Sequence, residues 1–281
     1  MTVVLVTGGN AGIGLETCVG LAAQGRHVVL TSRDAARGDA ARAEIVRRSQ
    51  NEAVDAMTLD LASFASVREF ASSFLDHYDD IGVVVHNAGA VLKSRRVTED
   101  GNEMTFQVNH LGPFLLDALL RERVIASGDA RVVVVASDAH KGAREGLAFD
   151  DLQTEQRHYS GFAVYSRTKL ANILVTRQLA RRLAGTDVTA NVLHPGFVAT
   201  RFARDGDMGV FGNLVMPLMR PFALSPAQGA RTSIYVATAP ELESITGGYW
   251  VKCAPATPSV AAQDDAAARR LWDVSEQLTG L

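Results

Sequence analysis

Apolar positions along the chain fall in short unbroken blocks rather than in alternation. VVLVT (3–7), HVVLTS (27–32), AVDAMTL (53–59), GVVVHN (82–87), RVVVVAS (131–137), VTANVLH (188–194) and GGYWVK (247–252) are mostly rich in β-branched residues. Blocks of this length with no polar face predict strands covered on both sides, as in a parallel sheet. Between them, helical spacing runs over 13–24, 35–50, 63–78, 99–127, 160–184, 226–239 and 262–278. The alternation predicts an α/β fold, a doubly wound and mainly parallel seven-stranded sheet with helices on both faces. No linker, repeat or low-complexity tract interrupts the rhythm, so residues 1–281 are expected to form a single domain.

Two irregular stretches break the pattern, 138–161 after the fifth strand and 196–226 after the sixth. Ligands of open α/β sheets bind outside the carboxyl ends of the strands, so both stretches are candidate substrate walls. The second carries Met208, Phe211, Leu214, Val215, Met216, Met219 and Phe222. Around 205–224 these predict either a helix packed on the core or a mobile lid over a lipophilic substrate.

Composition narrows the function classes. Lys and Arg total 28 against 31 Asp and Glu, a net charge of -3, with the signs interspersed. No basic excess suggests a nucleic-acid surface. No run approaches the ~20 apolar residues of a membrane span. No leader precedes the first strand, and the two cysteines, Cys18 and Cys253, form no framework. A cytoplasmic protein is expected. His110, His140, His158 and His194 have no partners at metal-ligand spacing. They are read as polar surface without a catalytic role, and no metal site is expected.

The first strand stops on Gly8, followed by Gly12 and Gly14, and an apolar helix begins at once. Glycines there let backbone approach a ligand, and a helix start offers free N–H groups to a pyrophosphate. A tight packing turn is the other reading, and the spacing is not G-x-G-x-x-G. Arg33 ends the second strand where an adenosine ribose would lie, and an arginine there favours a 2′-phosphate, hence NADP(H) over NAD(H). Asp34 beside it argues the other way. Asp60 ends the third strand and either accepts from an adenine amino group or serves, like Ser63, as a helix cap. Asn87, Ala88 and Gly89 after the fourth strand either pass close to the adenosine half or form a bare turn.

YSRTK (165–169) opens a long amphipathic helix. Tyr165 and Lys169 at i and i+4 share a face. A tyrosine titrating near ~10 is brought into range as an acid or base when an ammonium stabilises its phenolate. Ser137 at the end of the fifth strand is placed to orient a reacting oxygen. Asn109, polar in the apolar TFQVNHLGPFLL, is either a satisfied core residue or one that bends the helix and holds a water leading to Lys169.

Taken together, TGGNAGIG (7–14), LDL (59–61), NAG (87–89), Asn109, Ser137, YSRTK and HPG (194–196) resemble the short-chain dehydrogenase/reductase family over nearly the whole chain. LTSRD, FQVNHLGPFLL, ASDAHK and ARRLWDVSEQLTGL are similar to its retinol dehydrogenase-like branch. The resemblance implies a Rossmann fold and an NADP(H)-dependent oxidoreductase moving hydride to or from a carbonyl or alcohol carbon. It implies Tyr165 as proton donor or acceptor, and Lys169 as the residue that holds the nicotinamide ribose and lowers the tyrosine pKa. Ser137 would orient the carbonyl and Asn109 would support a proton relay. Gly8, Asn10, Gly12, Ile13 and Gly14 would shape the cofactor loop. Asp60 with Leu61 would hold adenine, and Asn87, Ala88 and Gly89 would follow the adenosine ribose. Pro195, Gly196, Val198 and Thr200 would lie near the carboxamide. Gly9 stands where alanine is common. Dimers or tetramers through the fourth and fifth helices are implied. A non-catalytic nucleotide-binding regulator on the same fold is the rival reading, and an epimerase or dehydratase a third.

Overall fold

The computed structural model describes residues 2–198 and 223–281. Eight strands form one sheet in the order β3-β2-β1-β4-β5-β6-β7-β8. They are β1 (Val3–Val6), β2 (His27–Ser32), β3 (Val54–Thr58), β4 (Ile81–His86), β5 (Arg131–Val135), β6 (Thr189–His194), β7 (Tyr249–Val251) and β8 (Ala254–Ala256). The first seven pair in parallel, and β8 pairs antiparallel to β7.

The seven expected strands are present, and β8 is additional. Lys252 and Cys253 make the two-residue turn into it with φ of 52° and 59°. Left-handed values at both central positions are what a tight hairpin needs, though neither residue is the usual glycine or asparagine. Ala254, Pro255 and Ala256 are all exposed and carry no strand signal.

The unbroken apolar blocks serve two layers. Along β1, Val3 and Leu5 join one core while Val4 and Val6 join the other. The first core lies beneath α3 (Phe64–His77), α5 (Gly112–Ala126), α6 (Gly161–Arg182) and α8 (Asp265–Thr279). The second lies beneath α1 (Gly12–Ala22), α2 (Ala35–Ser49) and α7 (Pro226–Thr238).

The helix expected over 99–127 is interrupted. A short turn α4 (Met104–Phe106) leads into a π-helical turn, Gln107–Leu111, before α5 begins. Tertiary contact explains the break. A Cβ on Gly112 would meet the Leu61 carbonyl oxygen at 2.6 Å, so the helix crosses the β3–α3 loop closely. Asn109, inside the π turn, reaches across to Ala90.

Strand order reverses between β1 and β4, where helices leave for opposite faces. That opens a crevice above their carboxyl ends. The loops 7–12 and 87–91 line it.

Candidate active site

The glycine turn is held from both sides. Gly8 N–H donates to Thr31 Oγ1 at 3.3 Å and Gly9 N–H to the Thr31 carbonyl at 3.1 Å. Asn87 Nδ2 donates to the Thr7 carbonyl at 3.0 Å, and the N–H groups of Asn87 and Ala88 both donate to Thr7 Oγ1. A Cβ on Gly14 would collide with the Gly8 carbonyl and the Asn87 amide. Glycine at 14 is therefore a packing requirement of the turn. Thr7 and Thr31, which sequence reasoning passed over, are as much part of it as the glycines.

The start of α1 stays open. Its N-cap, Ala11, offers no side-chain acceptor and the first turn has no acid. By contrast α2, α3, α6, α7 and α8 are capped by Asp34, Ser63, Ser160, Ser225 and Asp264. Among the described helices of eight residues or more that begin from a loop, α1 is the one whose end N–H groups have no side-chain cap. Such groups, with the positive pole of the helix, suit a pyrophosphate. Gly12, Ile13 and Gly14 supply them, with Asn10 just before. The residues present therefore fit a dinucleotide.

The residues read as an adenosine end divide into roles the sequence left open. Asp34 caps α2 by accepting from Arg37 N–H at 2.8 Å, and Arg33 stands exposed. Ser63 caps α3. Asp60 does not cap it; its Oδ1 closes a local turn by accepting from Ala62 N–H at 2.9 Å. Leu61 is buried with its carbonyl under Gly112.

At the other end Ser137, Tyr165 and Lys169 come together. Ser137 lies just past β5, half-buried, and its hydroxyl bonds to the Tyr165 phenol. Lys169 is buried, with Nζ donating to the Val135 carbonyl at 2.9 Å and standing 5.5 Å from the Tyr165 ring centre. Burial pushes the lysine down to about 8. The tyrosine departs from expectation. Burial pushes it up to about 12, and the Ser137 hydroxyl only partly offsets the rise. Desolvation of the phenolate outweighs the hydrogen bond from Ser137 in this fold.

Asn109 is placed near Lys169, with its side chain bonded to its neighbours. Its Nδ2 donates to the Ala90 carbonyl at 2.8 Å and to Thr168 Oγ1 at 3.0 Å, and its Oδ1 accepts from Ala90 N–H at 2.6 Å. The side chain braces the loop after Gly89 against α6. A Cβ on Gly89 would lie 3.3 Å from Asn109 Oδ1 and 3.6 Å from Lys169 Nζ, so glycine keeps this junction tight.

Pro195 and Gly196 turn the chain after β6, with Gly196 at φ 91°. Val198 then pairs with Leu224, and its side chain fills the space a Cβ on Gly229 would take, close to Ile13. Thr200 and most of the segment 205–224 lie outside the described residues. Two histidines read as polar surface are instead buried, His110 and His140, because each bonds across elements. His158 is exposed. No cluster able to hold a metal ion occurs among the described residues. None of the described helices is long and apolar enough to cross a membrane.

The family profile described as short chain dehydrogenase matches residues 2–149 and 153–208. Retinol dehydrogenase 14 of Homo sapiens is 42% identical over 296 residues, covering 99% of this chain and 86% of that protein. The WW domain-containing oxidoreductase of Danio rerio is 41% identical over 281 residues, covering 98% of this chain and 68% of that protein. Among solved structures, that of an uncharacterized protein from Mycobacterium Paratuberculosis matches with a TM-score of 0.79 at 33% identity, covering 100% of this chain and 94% of the other. The chain belongs to the short chain dehydrogenase family, in its retinol dehydrogenase-like branch, and is an NAD(P)-dependent oxidoreductase acting on a CH–OH or C=O carbon.

Proposed function

We propose that the enzyme uses NADP(H) to interconvert a lipophilic carbonyl compound and its alcohol, with Tyr165 as general acid and base. The observation that carries this reading is the convergence of Tyr165, Ser137 and Lys169 in one cluster. When bound, the dinucleotide would supply or accept the hydride.

The chain's own groups do the rest. A phenol pushed up to about 12 is protonated at neutral pH, the form that can hand a proton to a carbonyl oxygen. The Ser137 hydroxyl donates to the same oxygen and stabilises the charge that develops on it. Lys169, at about 8, is mostly the ammonium at pH 7 and opposes the cost of the phenolate left behind. In the oxidative direction the same groups run in reverse. Asn109 keeps the loop carrying Gly89 and Ala90 in register with α6.

Support for NADP(H) comes from Arg33, exposed at the end of β2, while the competing Asp34 caps α2. An arginine there pairs well with a 2′-phosphate. Support for a lipophilic substrate comes from Phe162, one turn ahead of Tyr165, and Phe197 after Gly196, 41% and 39% exposed on this edge. The relatives named for retinol, a lipophilic alcohol, agree with it. A cytoplasmic location is part of the proposal and rests on the two free cysteines.

The test follows nicotinamide absorbance with NADPH and NADH against aldehydes and ketones, from small and polar to long and lipophilic. Turnover is expected with NADPH and long substrates. Tyr165→Phe is expected to abolish turnover while NADPH still binds, and Arg33→Ala to weaken NADPH about tenfold or more with little change for NADH. Turnover retained by Tyr165→Phe would sink the tyrosine role. Equal loss of both cofactors in Arg33→Ala would sink the 2′-phosphate assignment.

A further inference from the structure

Ser137 belongs to one peptide unit held at both poles by imidazoles. The Ser137 carbonyl accepts from His140 Nδ1 at 2.8 Å. The N–H of the same unit, that of Asp138, donates to His194 Nδ1 at 3.1 Å. A carbonyl only accepts and an amide N–H only donates, so both tautomers follow. His140 carries its proton on Nδ1. His194 has a bare Nδ1.

His140 is held in turn. Its Nε2 accepts from Ser259 N–H at 3.1 Å, and its ring stands edge-on to Tyr249, 5.5 Å between centres. It is fully buried. Burial holds both rings below the ordinary histidine range and so in the neutral form; the Asp138 carboxylate opposes this and the Lys141 ammonium adds to it. The contacts join three distant parts of the chain, the end of β5, the end of β6 and the arm after β8.

We propose that His140 and His194 are positioning residues that lock the Ser137–Asp138 peptide plane and thereby aim the Ser137 hydroxyl at the substrate oxygen. The inference rests on the oxidoreductase reading above. Ser137 needs such a device. Its hydroxyl already accepts from Ala139 N–H at 3.2 Å as the cap of the following turn, Asp138–Gly142. It must keep its own proton directed at the reacting oxygen, and a rotation of the 137–138 peptide would displace the Ala139 N–H that fixes the hydroxyl. The clamp also makes the C-terminal arm part of the scaffold, since Ser259 fixes the ring that fixes the serine.

The experiment uses amide variants that keep one ring nitrogen's function at a time. In His140→Asn the amide NH₂ sits where Nδ1–H donates, so the bond to Ser137 survives. In His140→Gln the amide reaches the Nε2 position, so the bond to Ser259 survives and the side-chain bond to the Ser137 carbonyl is lost, while the backbone N–H of residue 140 still donates to that carbonyl at 3.1 Å. His194→Asn restores an acceptor for Asp138 N–H, and His194→Leu does not. Steady-state kinetics with NADPH and the best carbonyl substrate are compared with NADPH binding and Tm.

His140→Gln and His194→Leu are expected to lose roughly ten- to a hundredfold in kcat with KM and NADPH affinity nearly unchanged. His140→Asn and His194→Asn are expected to recover most of it. A full kcat in His140→Gln, or equal losses in the Asn and Gln variants that follow Tm, would overturn the proposal alone. A wild-type protein silent across the whole carbonyl panel would instead overturn the oxidoreductase reading, and the clamp with it.

Discussion

Two residues show how function and stability are linked in this site, in opposite senses. Lys169 sits in the core with its ammonium, and burial lowers its pKa from 10.5 to about 8. Between those values the unfolded chain binds the proton more readily than the fold does, so stability rises with pH across that window. Below about 8 the folded protein carries the full penalty. Lys169→Met should therefore stabilise the protein at pH 7, on the order of 1–3 kcal/mol, while abolishing turnover. Urea midpoints at pH 7 and pH 9.5 test this, because the advantage of the variant should shrink at the higher pH. Gly9 is the second case. A Cβ there would lie 2.8 Å from Cys18 Sγ and 2.7 Å from Leu30 Cβ. The alanine common at this position would overpack this chain, and Gly9→Ala should cost about 1–3 kcal/mol in denaturant unfolding and weaken NADPH binding. Wild-type stability in that variant would show that the turn yields.

Among elements, α1 illustrates a helix end left uncapped where the pyrophosphate is proposed to sit. Ala11→Asp would provide the missing acceptor and should raise stability by about 0.5–2 kcal/mol. The same carboxylate would meet the pyrophosphate's charge, so NADPH affinity should fall while Tm rises. Tm and a fluorescence titration on one preparation decide it; a rise in both would remove the pyrophosphate from α1. Element identity was largely legible in the sequence because β-branched blocks and helical spacing are local signals. The π turn at Gln107–Leu111 was not, since it depends on Gly112 meeting Leu61 and on Asn109 meeting Ala90, contacts made by distant segments. Strand β8 was illegible because Ala-Pro-Ala has no propensity to announce it. Within the site, Ser137, Tyr165 and Lys169 were readable through their spacing and order. Thr7, Thr31 and His140 were not. Their bonds are to backbone across the sheet edge, and nothing in their neighbours' types signals it.

At the scale of the molecule, α8 is the piece that completes one of the two layers. Trp272 is 1% exposed, edge-on to Phe114 at 4.9 Å, with the guanidinium groups of Arg121 and Arg182 over its ring at 5.1 and 4.4 Å. Helices α5 and α6, expected to carry an oligomer interface, are here partly covered by the chain's own α8. Trp272→Ala should destabilise by about 3–5 kcal/mol, and sedimentation of the variant should show more association than the wild type at the same concentration. A variant that stays dispersed and loses less than ~1 kcal/mol would show that α8 is dispensable to the layer.

The position of that helix also sets an order of events during synthesis. The amino-terminal half, β1 through β4 with α1 and α2, leaves the ribosome early and contains most of its own core partners in the layer beneath α1 and α2. Phe114 and the outer flank of α6 must wait until residues 265–279 have been made. At ~5–20 residues per second the delay from Phe114 to Trp272 is on the order of 10–30 seconds. Throughout that interval an apolar strip has no intramolecular cover. A premature stop shortly before Asp265 would make the interval permanent, leaving a chain whose uncovered flank invites chaperones and proteases.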